Sequence, residues 1–106
     1  MSPPPGTVTI FRDTADDVQD RWVRIFIDDG PEEILRYGDR LTRELPPGRH
    51  RVKGHNTLSS DTIEVDVAPG RQVRIRCHNR VAKGGVLMML TTGFAFITVK
   101  LEVIET

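Results

Sequence analysis

The sequence predicts an all-β fold: a single antiparallel β-sandwich, Ig-like or transthyretin-like, with about seven to nine short strands. Three observations predict it. Turn signals recur at short intervals, at Asp29-Gly30-Pro31, Tyr37-Gly38-Asp39, Pro46-Pro47-Gly48, Ala68-Pro69-Gly70, Lys83-Gly84-Gly85 and Thr91-Thr92-Gly93. The segments between them have strand length and alternate with a period of two. Helical capping patterns are scarce.

The elements follow in order. Residues 1–6, Met1-Ser2-Pro3-Pro4-Pro5-Gly6, form a flexible proline-rich lead-in, and residues 7–106 form one domain. Strands are expected near 7–12, 22–28, 32–36, 41–45, 49–55, 62–67, 72–79, 86–91 and 94–104. In the second, Val23, Ile25 and Ile27 share one face while Trp22, Arg24 and Phe26 share the other, which predicts a central strand covered on both sides. Ile63, Val65 and Val67 alternate with Glu64 and Asp66, and Val73, Ile75 and Cys77 alternate with Arg74 and Arg76. At Pro47-Gly48 and Pro69-Gly70, proline presets the second position of a type II turn and glycine supplies the positive φ of the third.

Composition excludes several function classes. With 106 residues the chain has room for one core. Fifteen Lys+Arg against fifteen Asp+Glu give zero formal charge, a poor basis for binding dominated by phosphate contacts, so nucleic acid is not the expected partner. The 38% hydrophobic content is that of a folded domain rather than a disordered one. A single cysteine excludes an intrachain disulfide or a thiolate metal cage. The N-terminus lacks the basic and apolar regions of a secretory signal and an acylatable cysteine, which predicts a cytoplasmic location.

No Ser-His-Asp, Cys-His or paired-carboxylate constellation is present, so no catalytic residue, metal ligand or cofactor is assigned. Cys77 and His78 are adjacent on a strand and point to opposite faces, so Cys77 reads as a buried inert thiol. His50, His55 and His78 lack zinc spacing. Asp13, Asp16, Asp17 and Asp20 lack the register and glycine of a calcium loop and read as a solvated loop or one helical turn capped by Asp13.

Two surfaces stand out. Arg49, Arg51 and Lys53 line one strand, Glu64 and Asp66 the next, and Arg74, Arg76 and His78 the one after. In a meander the acidic strand lies between two basic ones and opposite charges pair across the ladder. With the acidic strand elsewhere, Arg49, Arg51, Lys53, Arg74 and Arg76 form a candidate anion-binding face. The sixteen residues from Gly84 to Val99 carry no charge, and the run is too short and interrupted for a membrane helix. Within it Leu87, Met88, Met89, Leu90, Phe94 and Phe96 form a candidate interaction surface, either buried in the domain or exposed to a partner.

The segments Val23-Arg-Ile-Phe-Ile-Asp-Asp-Gly30, Leu45-Pro-Pro-Gly-Arg-His-Arg-Val52 and Ile63-Glu-Val-Asp-Val-Ala-Pro-Gly70 resemble the PEGA domain and related small bacterial β-sandwich modules over about residues 22–78. The Gly-x-Thr-Pro stretch typical of PEGA sequences is replaced here by Ile34-Leu-Arg-Tyr-Gly-Asp39. The resemblance implies a structural or binding element without shared catalytic residues. The expected function is therefore a non-enzymatic module with a protein partner or a second copy of itself, self-associating through the apolar C-terminal region. The alternative is a peripheral module that binds a membrane surface or an anionic ligand.

Overall fold

The computed structural model describes residues 3–14, 17, 22–56, 59–81 and 97–105. They form eight strands: β1 (Gly6–Phe11), β2 (Val23–Ile27), β3 (Glu33–Leu35), β4 (Arg40–Leu45), β5 (Gly48–His55), β6 (Ser60–Val67), β7 (Gln72–Val81) and β8 (Ile97–Glu105). The first seven lie within two residues of their expected bounds, and β8 ends one residue past the expected 94–104, of which residues 94–96 lie outside the described residues. The strand expected at 86–91 lies outside the described residues. Gly6, assigned by sequence to the lead-in, opens β1.

The strands make two four-stranded sheets, sheet A in the order β4-β1-β7-β8 and sheet B in the order β3-β2-β5-β6. Sheet B is antiparallel throughout, whereas in sheet A β1 and β7 run parallel from Thr7 opposite Gln72 to Phe11 opposite Arg76. The expectation of a wholly antiparallel sandwich is corrected at this one pair. Its physical cause is the way both strands enter the sheet from one end. The Thr7 N–H donates to the Arg71 carbonyl at 2.9 Å and the Gly70 N–H to the Pro5 carbonyl at 3.2 Å. Gly70 has φ +68 in the turn closed by Arg71 N–H on the Ala68 carbonyl, the role its sequence predicts.

Alternation turns into packing directly. Val8 and Ile10 of β1, Val73, Ile75 and Cys77 of β7, and Val99 and Leu101 of β8 meet Val23 and Ile25 of β2, Leu35 of β3, Val52 of β5, and Val65 and Val67 of β6 in one buried cluster. Full burial of each branched side chain contributes about 1.5–3 kcal/mol. Gly54 faces the same core, and a Cβ there would stand 3.4 Å from both Leu101 and Val99. The space between the sheets there accepts a methyl group but nothing larger without displacing those side chains.

Polar groups join the sheets where the core ends. Arg12 continues the inward face of β1 and is fully buried, with Nε and Nη2 on the Asp17 carboxylate at 2.8 Å and Nη1 on the Leu35 carbonyl at 2.8 Å. Asp17 also accepts the Asn79 N–H at 2.9 Å, and Asn56 Nδ2 donates to Asn79 Oδ1 at 2.9 Å. Along the open edge, the Val99 N–H donates to Ser59 Oγ and the Leu101 N–H to Asp61 Oδ2, each at 2.9 Å. At the opposite edge Arg43 of β4 pairs with Glu33 of β3.

Candidate interaction surface

The outer face of sheet B is fixed by the register of its strands. Arg24 stands between Ile34 and His55, Phe26 opposite Lys53, Arg51 opposite Glu64 and Arg49 opposite Asp66. This single face has two unlike halves.

The half nearer the β2–β3 turn is closed by ion pairs. Arg49 bonds both Glu64 and Asp66 at 3.2 Å, and the Asp66 hydrogen bond and charge, followed by the charge of Glu64, raise its already high pKa. Arg51 pairs with Asp29. Asp28 and Asp29 carry positive φ of 52 and 59, a left-handed conformation uncommon outside glycine but tolerated by aspartate in turns. The Asp28 carboxylate accepts the Arg51 N–H at 2.9 Å and lies 2.5 Å from His50 Nδ1. These residues border a shallow cleft of about 240 Å³ whose charges already satisfy one another. Among groups with shifted pKa, Asp28 is lowered by the Arg51 backbone N–H and the His50 side chain.

The other half is open. Trp22 precedes β2 and is 53% exposed, with the Arg36 guanidinium 4.5 Å from its ring centroid. Beside it, Ile34 on the edge strand β3 is 44% exposed and Tyr37 in the following turn 38%. Lys53 is exposed and Phe26 half-buried. The acidic groups of this half are engaged: Glu32 lies 3.4 Å from Arg24, and Asp39 accepts the Arg36 backbone N–H at 2.9 Å. The expectation that β2 is covered on both faces is thereby corrected. Its inward side chains enter the core, but Trp22 and Arg24 on the other face stand in solvent.

The predicted anion-binding face is divided between two sheets. Arg49, Arg51 and Lys53 lie on sheet B, while Arg74 and Arg76 lie on the outer face of sheet A, because β7 pairs with β1 and β8 rather than with β6. The predicted three-strand charge ladder is likewise halved, keeping its β5–β6 rungs alone. Arg74 and Arg76 instead stand over Phe11, at 5.1 and 5.7 Å from the ring centroid, and Arg76 lies 3.7 Å from Asp13. Leu87, Met88, Met89, Leu90, Phe94 and Phe96 lie outside the described residues.

Cys77 faces the core, and burial pushes its thiol up to about 12, with Arg12 opposing and Asp17 and Asp61 adding to the shift. His78 is buried on the opposite side of the strand. Asp17, read from the sequence as part of a solvated loop or helical turn, is buried against Arg12. The sequence signal for it was available, since Arg12 falls on the inward register of Val8 and Ile10, where a cation needs a buried acid.

No protein-family model and no curated protein matches this chain. The surface is therefore interpreted from its own chemistry. Among the described residues no helix is long and apolar enough to cross a membrane.

Proposed function

We propose that the chain is a non-enzymatic β-sandwich module that acts by contact, as a structural or interaction element, and that the Trp22 corner of sheet B makes the contact. The exposure of Trp22 under Arg36, next to Ile34 and Tyr37, carries this reading. Trp, Tyr and Arg are the residue types in which binding energy concentrates at interfaces. The groups with reactive potential have structural work instead: Cys77 is a buried thiol in the core, His50 is clamped by Asp28 and the Pro46 carbonyl, and Arg12 neutralises Asp17.

The Ig-like or transthyretin-like arrangement and the PEGA-like affinity belong to the same proposal. Its support is spatial, because the three segments that carry the resemblance meet at one end of sheet B. Asp28 of the first holds His50 of the second, and Gly48 stands opposite Val67 of the third.

The chain has one tryptophan, so its emission reports on this corner directly. Titration with heparin, polyuridylate and lipid vesicles, together with a concentration series of the protein alone, is expected to shift that emission in at least one case. Unchanged emission throughout would overturn the assignment of the contact surface.

A further inference from the structure

We propose that the Trp22 corner docks on an anionic lipid surface, with Trp22, Ile34 and Tyr37 entering the headgroup layer and Arg36 and Lys53 meeting lipid phosphates. The inference rests on the reading of this corner as the contact surface.

The chemistry of both partners agrees. Indole and phenol rings favour the boundary between headgroups and acyl chains, where an apolar body and a polar tip are both accommodated. Guanidinium groups form forked hydrogen bonds to phosphate. Arg36 stacks on Trp22 at 4.5 Å, so the cation and the ring would reach the surface as one unit. Arg36 and Lys53 have no carboxylate partner among the described residues, while the cations at the other end of the same face, Arg49 and Arg51, are paired with acids. Charge complementarity thus points at this end alone.

The kinds of side chain at the corner favour a lipid surface over other anionic partners. The corner is formed by the edge strand β3, the residue before β2 and the turn at Tyr37. The clefts at Asp28–Arg51 and at Val65–Val103 are lined by residues other than Trp22, Ile34 and Tyr37. A single-stranded nucleic acid would use successive exposed rings. On the outer face of β2, Trp22 is exposed but Phe26 is half-buried, and Ile34 offers nothing to stack on.

The test uses the full chain with vesicles of phosphatidylcholine alone and of phosphatidylcholine with about one-third phosphatidylserine. Co-sedimentation and a blue shift of Trp22 emission are expected with the anionic vesicles at low salt, fading as salt rises. Arg36→Gln and Lys53→Gln each change an exposed side chain, and an unchanged melting temperature verifies that each variant folds. Binding should weaken roughly fivefold for each cation removed. Trp22→Ala, followed by co-sedimentation, should weaken it further, whereas Arg49→Gln at the paired end should not. Emission that shifts with heparin, polyuridylate or protein concentration but not with vesicles would overturn the lipid proposal and leave the contact surface standing. Emission that shifts with none of them would overturn both.

Discussion

His50 Nδ1 lies 2.5 Å from the Asp28 carboxylate while its Nε2 lies 2.6 Å from the Pro46 carbonyl, so both ring nitrogens face acceptors. Only the imidazolium can donate to both. Burial alone would lower the His50 pKa, but the hydrogen bonds to Asp28 and Pro46 outweigh it and the net shift is upward from 6.5. The contribution of His50 to stability is therefore complete below its unfolded value and disappears as pH rises through its higher folded value. Asp28 is shifted downward from 3.8, so its contribution is present above that value and is lost as pH falls through the folded one. The clamp is strongest between the two. Against His50→Gln, the wild type should gain about 1 kcal/mol of stability near pH 5, a figure discounted for the exposure of Asp28, and lose that advantage above neutrality. Melting curves across pH check it, and identical pH profiles for the two proteins would contradict it.

The buried pair Arg12–Asp17 should behave differently, because nothing solvates either charge. Arg12→Met leaves Asp17 unpaired and strips a donor from the Leu35 carbonyl, with an expected loss of about 3–5 kcal/mol. Asp17→Leu leaves the Arg12 cation buried and removes the acceptor of the Asn79 N–H, with a similar expected loss. The double substitution should cost less than the sum of the two, since the uncompensated charge is gone, yet remain below wild type because the Leu35 and Asn79 backbone groups keep their deficit. Urea unfolding of the four proteins forms the required cycle.

Much of this was legible in the sequence, and the residues that were not share a cause. Val23, Ile25, Val73, Ile75 and Cys77 announced their inward faces by alternation, and Gly70 announced its turn. Alternation is local and carries no information on which strand lies alongside. The assignment of β7 to β1 was therefore hidden, and with it the separation of Arg74 and Arg76 from Arg49, Arg51 and Lys53. Trp22 misled in the other direction, since a large apolar residue on a strand's second face reads as covered, whereas it stands in solvent. Asp17 was hidden in an acidic run whose spacing suggested solvation, though its partner Arg12 sat on a core register.

Cys77 provides a direct probe of core opening. With its thiol pushed up to about 12 and its side chain inaccessible, it should not react with a disulfide reagent at pH 8 in the folded protein. Labelling should become complete in urea, with a midpoint that matches loss of β-sheet signal. Rapid labelling without denaturant would show that β7 is not held as described.

Two glycines distinguish a tight backbone from a tolerant one. A Cβ at Gly6 would stand 2.8 Å from the Ala68 carbonyl oxygen and closer still to Val67, so Gly6→Ala forces the start of β1 away from the turn before β7. A Cβ at Gly54 meets only side-chain carbons at 3.4 Å and beyond, a contact that small shifts of Leu101 and Val99 absorb. Gly6→Ala should lose about 2 kcal/mol or more and Gly54→Ala under about 1, while Gly54→Val overfills the inter-sheet space and should lose about 1–3. Denaturation midpoints that reversed the order of the two alanine variants would refute this account of the sheet spacing.

The edge strand β8 exposes backbone donors that would otherwise invite another strand, and Ser59 and Asp61 occupy two of them. Asp61 is the more consequential, because a carboxylate accepting a backbone N–H makes a charge-assisted bond and keeps a charge beside the edge. Asp61→Ala should cost about 1–3 kcal/mol and also free the Leu101 N–H for pairing with a neighbouring molecule. Asp61→Asn retains an acceptor at the same position and should restore much of the stability without the charge. Two readouts separate these effects: urea midpoints report the lost bond, and light scattering on concentrated samples reports new edge-to-edge association. Ser59→Ala, which frees the Val99 N–H while leaving Asp61 in place, should lower stability by a smaller amount and leave scattering unchanged. Association in Ser59→Ala equal to that in Asp61→Ala would place the protection of this edge in the backbone bonds alone rather than in the carboxylate.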